Sequence, residues 1–210
     1  MLGRLQRGLE TLYRLEPEAE VEDFIIDREA RDAAGVARSP REQLLLQEDE
    51  DGLAIGLYFE PGIMEGLAGQ RAVELVEGRL FGDFMMLLEG VSHFVYVAFK
   101  AGREHKVSAL ELELQAEVDK YVTCVLSTER SRVRSEGLRR RLFQDIEYDE
   151  DLSEDEQERY RVANNNALRY SASLERRFVA ENRVTDMLVE LRHFYRMSLP
   201  RKLRHIAQAA

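Results

Sequence analysis

The sequence predicts an α+β fold that is predominantly an α-helical bundle of about five or six helices, with a small three-stranded antiparallel meander near the N-terminus. Apolar residues follow a two-residue period only between positions 21 and 59, as strands do. After Pro61 they recur mostly at spacings of three and four, as on helix faces. The 210 residues suit a single domain over 1–210, with a helix and the meander in 1–60 and the helical bundle in 61–210.

The N-terminal part predicts one helix followed by three strands. Leucines on a single helical face favour a helix over 2–16, which Pro17 ends. Strands are expected at 21–27, 42–48 and 53–59, with a loop over 28–41 that has room for one helical turn. Asp51-Gly52 between the last two strands is a hairpin signal, because glycine accepts a positive φ at no steric cost.

The rest of the chain predicts helices. Ser108 and Ser153 each precede a glutamate three residues later, which is the capping-box pattern of a helix start. Pro200 is expected to end the last full helix. The predicted helices cover 61–79 (one or two short helices), 82–101, 107–127, 129–146, 153–182 and 184–198, with a short basic turn at 201–208.

The helix over Phe81–Phe99 is apolar nearly all round, which predicts a central, buried position. Its polar members share one stripe: Glu89, Ser92, His93 and Tyr96. A buried carboxylate and imidazole are costly unless paired. We therefore expect them to face partners, and the following helix offers Glu113, Glu117 and Lys120.

Three interpretations of this stripe stay open. The first is a hydrogen-bonded network that sets helix register. The second is a metal or acid–base site, and the third is the lining of a small-ligand pocket. The candidate catalytic residues are Glu89, His93, Tyr96 and Glu117. The candidate metal ligands are Glu89, His93, Glu113, Glu117, Glu190 and His193.

Glu190-Leu-Arg-His193 matches a Glu-x-x-His element. In this respect the chain resembles, in part, the di-iron carboxylate bundles, which carry two such elements and two further glutamates. Here Glu89 and His93 are four residues apart rather than three, and a second Glu-x-x-His is missing. The resemblance implies iron, manganese or zinc as the metal; without it, no cofactor is predicted.

Charge is unevenly distributed within a net charge of −10. Residues 147–158 carry eight acidic and no basic groups, whereas residues 159–210 carry 11 basic and 4 acidic groups. An arginine-rich segment precedes the acidic one and is a candidate anion- or partner-binding face, or a solvated face. Its arginines are Arg130, Arg132, Arg134, Arg139, Arg140 and Arg141. Asp149, Glu150 and Asp151 are expected to lie across them.

The leading functional interpretation is a non-enzymatic interaction or scaffolding protein of the cytoplasm that binds a protein partner, itself or both. The alternative is a metal-dependent or acid–base enzyme, and a weaker one is an anion-sensing regulator. The acidic net charge disfavours general nucleic-acid binding. No uninterrupted apolar run reaches the length of a membrane span, so none is predicted.

Overall fold

The computed structural model describes residues 1–35, 38, 40–49, 52–103, 105–128, 132–144 and 152–209. The fold is α+β and mostly helical, as predicted. It divides into two compact units. The first unit contains Met1–Thr11 and Leu15–Val107, and the second contains Leu12–Arg14 and Ser108–Ala210.

The chain begins with short elements that precede the hairpin. They are α1 (Leu2–Tyr13), a 3₁₀ turn (Val21–Phe24), strand β1 (Ile25–Ile26) and α2 (Arg28–Ala33). Helix α1 ends earlier than predicted, because Arg14 adopts a left-handed conformation with φ of 52°. The Leu15 N–H then donates to the Glu10 carbonyl at 2.9 Å, which is a helix C-cap bond. Helix α2 lies within the predicted loop and is N-capped by Asp27.

The sheet has strand order β1-β3-β2, with β2 (Glu42–Asp49) and β3 (Gly52–Phe59) as the predicted antiparallel hairpin. β1 instead pairs parallel to β3, with Ile25 opposite Leu57. The prediction of a wholly antiparallel meander was therefore wrong. A two-residue strand is too short for its side-chain pattern to specify direction.

Three helices complete the first unit: α3 (Ile63–Leu67), α4 (Ala72–Glu77) and α5 (Phe81–Ala101). Most of α5 is buried, as its sequence predicts, and it packs against β2 and β3. By length and composition α5 is able to cross a membrane. However, 78% of its most apolar window is buried inside the protein, which is the pattern of a core helix.

The second unit is helical. Its elements are α6 (Ala109–Ser127), α7 (Arg132–Phe143), α8 (Glu154–Leu174), a π-helical segment (Glu175–Val179), α9 (Val184–Tyr195) and α10 (Leu199–Ala209). The Ser108 and Ser153 side chains accept the predicted cap bonds from the N–H groups of Glu111 and Glu156. Helix α6 packs against both α7 and α8, and α10 packs against α8.

The described residues form ten α-helices, so the predicted number of about five or six was wrong. The predicted loop over 28–41 contains α2. The segment over 61–79, predicted as one or two short helices, contains α3 and α4. The predicted basic turn at 201–208 is instead most of α10. Pro200 lies in the first turn of α10, where a helix needs no N–H from it, and the preceding helix already ends at Tyr195.

Candidate metal centre

Helix α5 places Glu89 and His93 one turn apart on the same face. His93 is 6% exposed, and Glu89 is half-buried. The apolar residues around them bury α5 within the fold and carry this polar pair with it. The structure therefore confirms one part of the predicted stripe: the Glu89 carboxylate and the His93 imidazole lie in mostly apolar surroundings.

Strand β2 supplies a third group, the Glu42 carboxylate. Glu42 opposes Phe59 in the hairpin and shares a face with Leu44 and Leu46. Gly90 of α5 permits the close approach. A Cβ at this glycine would lie 2.8 Å from Glu42 Oε1 and 2.7 Å from Phe59 Cζ. The strand therefore brings an acidic side chain directly against the α5 backbone, beside Glu89 and His93.

The three side chains form what we call the carboxylate–imidazole cluster: Glu42, Glu89 and His93. One potential ligand atom from each lies within 4.8 Å of the others. Glu42 Oε1 and His93 Nε2 are both buried from solvent. In the part of the chain that the structure describes, no other set of three histidine, cysteine or carboxylate groups meets this distance.

Arg41, the residue before Glu42, fixes the start of β2. Its guanidinium bonds Glu60 at 2.6 Å and Asp83 of α5 at 3.0 Å. The hydrogen bond to Glu60 raises the pKa of Arg41, with Asp83 adding to the rise against the opposing effect of burial. These bonds join β2 both to the residue after β3 and to α5, so they hold Glu42 in position.

Tyr96, a candidate catalytic residue, is fully buried on α5. The Lys100 ammonium lies 5.1 Å from the centre of its ring, and Phe99 packs at a ring separation of 6.4 Å. A cation over an aromatic face is a stabilising contact. These contacts place Tyr96 in the core of the first unit.

Glu113 and Glu117 lie on α6, in the second unit. Glu117 Oε1 accepts a hydrogen bond from Lys120 Nζ at 2.8 Å, a contact one turn apart on the same helix. The side chains of Glu113 and Lys120 are buried and Glu117 is half-buried. The predicted partners of the stripe thus belong to the other unit, while the strand residue Glu42 meets Glu89 and His93.

Glu190 of α9 lies beside a histidine, but that histidine is His205 of α10. His205 Nε2 is 2.5 Å from Glu190 Oε1, and Tyr170 OH donates to the same oxygen at 3.3 Å. Arg177 lies 3.6 Å from the other carboxylate oxygen. His193 is exposed, with its ring 6.5 Å from that of His205. Burial raises the pKa of Tyr170, and the Glu190 carboxylate raises it further.

The arginine-rich face is only partly described. Arg130, Asp149, Glu150, Asp151 and the side chain of Arg132 lie outside the described residues, so the predicted acidic cover stays a prediction. Arg134, Arg140 and Arg141 are exposed. Arg139 is half-buried and pairs with Glu175 of the π-helical segment at 3.4 Å.

A buried polar cluster in the second unit was not predicted; we call it the α6 network and define it as Tyr13, Gln115, Asp119 and Lys202. Asp119 accepts hydrogen bonds from the Tyr13 hydroxyl and from Gln115 Nε2, the latter at 2.8 Å. Lys202, which is 0% exposed, donates to Gln115 Oε1 at 2.7 Å. Burial and the Asp119 charge raise the pKa of Tyr13 well above its usual value.

Sequence reasoning also missed Glu42 and His205. For Glu42 a signal existed, because an acidic residue that alternates with Leu44 and Leu46 shares their face of the strand. His205 carried none, since its helix was predicted as a turn.

No known family, curated protein or solved structure matches this chain.

Proposed function

We propose that the first unit binds one divalent transition-metal ion between Glu42, Glu89 and His93. The convergence of the three ligand atoms within 4.8 Å is the observation that carries this proposal. Zinc–oxygen and zinc–nitrogen bonds measure about 2.0–2.2 Å, so ligand atoms around one tetrahedral ion lie about 3.4 Å apart. A side-chain adjustment of little more than 1 Å would close the cluster on an ion.

The donor set selects the kind of metal. Calcium and magnesium take oxygen ligands, whereas an imidazole suits zinc, iron and other first-row ions. Two carboxylates and one imidazole therefore favour Zn²⁺, Mn²⁺ or Fe²⁺. These are the ions that the partial resemblance to di-iron carboxylate bundles implies, although the ligands here come from one helix and one strand.

Electrostatics supports the same proposal. Two carboxylates in one partly buried cluster repel each other, because the low local dielectric strengthens their interaction. A divalent cation bound to both would replace that repulsion by attraction, and the neutral imidazole would add a third bond. The Gly90 position fits this role, since it lets Glu42 reach the helix that carries the other two ligands.

Three protein ligands leave a fourth position for water, which is the arrangement of catalytic rather than structural zinc sites. A bound ion lowers the pKa of such a water and makes it a nucleophile near neutral pH. If the chain is a metal-dependent enzyme, the reaction that we propose for it is therefore metal-assisted hydrolysis.

The test is calorimetric titration of the chelator-treated chain with Zn²⁺ and with Mn²⁺. We expect one ion per chain, with affinity lowered at least about a hundredfold by His93→Gln or Glu42→Gln, since even outer-shell changes cost ten- to a hundredfold. His193→Gln and Glu113→Gln are the matched controls and should bind as the parent does. Equal binding by the cluster and control variants would reject the proposal.

The interaction or scaffolding function stays a second proposal, with cytoplasmic location as its expected setting. It is favoured by Leu46 and Leu53, which are 42% and 38% exposed on one face of the hairpin. β2 also lies at an edge of the sheet, where backbone groups are available for pairing. Light scattering across a concentration series tests self-association: a mass that rises with concentration and falls back in Leu46→Gln supports it, and a constant monomer mass contradicts it.

A further inference from the structure

Three arginines of the second unit gather at the C-terminal end of α1. Arg192 Nε donates to the Leu12 carbonyl at 2.8 Å. Arg196 Nη2 donates to the carbonyls of Tyr13, at 2.9 Å, and Arg14, at 3.2 Å. These bonds use carbonyls that a helix end leaves without partners. They also fix the guanidinium groups of Arg192, on α9, and Arg196, at the C-cap of α9, beside the backbone of residues 12–14.

The positive charges of Arg14 and Arg196 lie close enough to Arg192 to disfavour its charged form. Burial lowers the pKa of Arg192, and the charges of Arg14 and Arg196 lower it further. Within the described ranges, no carboxylate lies within 4.0 Å of the Arg14 or Arg192 guanidinium. The described part of the chain thus supplies no direct counter-charge to these two groups.

Hydrogen-bond donors are available at the same place. Neither Nη of Arg192 donates to any described residue, nor does the side chain of Arg14. A guanidinium carries five N–H donors in a planar fork that matches the oxygens of a phosphate or carboxylate. The Arg14 and Arg192 forks, with the Arg196 guanidinium held at the Arg14 carbonyl, would suit a tetrahedral dianion better than a single carboxylate.

We propose that Arg14, Arg192 and Arg196 form a binding site for a phosphate group. The site lies in the second unit and is independent of the proposed metal centre. A free phosphate and a phosphate ester share this chemistry, and the inorganic ions are the simplest probes of it. None of these three arginines belongs to the predicted anion-binding face, whose described members lie on α7.

Arg14 permits an unusually clean variant. Its φ of 52° lies in the left-handed region that glycine adopts without strain. Arg14→Gly should therefore remove the guanidinium without lowering the melting temperature. Asn182, with φ of 51° at an exposed turn before α9, offers the matched control, because Asn182→Gly changes the backbone preference in the same way and removes no charge.

The experiment is titration of the full chain with inorganic phosphate and with pyrophosphate at constant ionic strength, followed by calorimetry and by phosphorus NMR line width. We expect saturable binding, about tenfold weaker in Arg14→Gly, intermediate in Arg14→Lys and unchanged in Asn182→Gly.

Three results would each overturn the site. One is no saturation by either ion in the parent chain. A second is equal affinity of the parent and Arg14→Gly. The third is acetate binding as tightly as phosphate, because the proposed site should prefer a doubly charged phosphate to a singly charged carboxylate.

Discussion

Each unit of the molecule has a polar cluster set among apolar side chains, and the two clusters differ in chemistry. The α6 network joins donors to acceptors: a hydroxyl, an amide and an ammonium group donate to a carboxylate and an amide oxygen. The carboxylate–imidazole cluster instead brings together three groups whose lone pairs bind metals. Glu89 and His93 lie on α5, and Gln115 and Asp119 lie on α6. Both helices are rich in apolar residues, so the hydropathy of the sequence around the two pairs is similar.

From this difference in chemistry we infer different roles for the two clusters. A network in which a hydroxyl, an amide and an ammonium group each donate to a buried acceptor needs no ligand, and its contribution is to packing specificity and stability. A convergence of two carboxylates and an imidazole gains most when a cation joins it. We therefore interpret the α6 network as structural and the carboxylate–imidazole cluster as a binding site.

The largest effect is expected from Asp119→Ala. The change removes the acceptor of two buried donors, the Tyr13 hydroxyl and the Gln115 amide, so the free energy of unfolding should fall by about 3 kcal/mol. Urea denaturation measures it. Asp186→Ala, which removes an exposed carboxylate paired with Arg183, is the control and should cost under about 1 kcal/mol. A small loss in Asp119→Ala would show that the α6 network is not what stabilises the second unit.

A smaller effect of either sign is expected from glycine-to-alanine changes in helices. Gly90→Ala should lower the free energy of unfolding by about 1–3 kcal/mol, because its Cβ would lie under 3 Å from Phe59 and Glu42. Gly137→Ala of α7, where the Cβ meets nothing within 4 Å, should raise it by about 0.5–1 kcal/mol. Chemical denaturation of both variants checks the pair. Equal stabilisation by the two would mean that β2 does not press on α5 at Gly90.

The smallest effect is expected at the two left-handed positions. Arg14→Gly and Asn182→Gly should each raise the free energy of unfolding by up to about 1 kcal/mol, because glycine occupies this region without strain. Thermal unfolding in phosphate-free buffer is the measurement. A loss in Arg14→Gly alone would mean that its side chain stabilises the fold without any ligand.

Local patterns predicted much of the helical structure. The apolar residues of α5 placed it in the core, and the Ser153–Glu156 pair marked the start of α8. The Asp51-Gly52 signal correctly predicted that β2 pairs antiparallel with β3, since such a hairpin is specified by residues close in sequence. These features depend on residues within a few positions of one another.

Long-range pairing was beyond the same patterns. Ile25 and Ile26 pair with Leu57 and Tyr58, and two residues carry too little alternation to indicate a parallel partner. Glu89 and His93 were predicted to need partners, and the next helix in the chain offered Glu113, Glu117 and Lys120. Glu42 comes from a strand 47 residues before Glu89, and only the packing of the sheet on α5 brings it near.

The most direct test of the metal centre is anomalous diffraction at the zinc edge from crystals of the chain grown with equimolar Zn²⁺. We predict one dominant anomalous peak in the first unit, within bonding distance of Glu42, Glu89 and His93, and its loss in His93→Gln. An absence of density at this position, or a dominant peak beside Glu190 and His205 instead, would contradict this prediction.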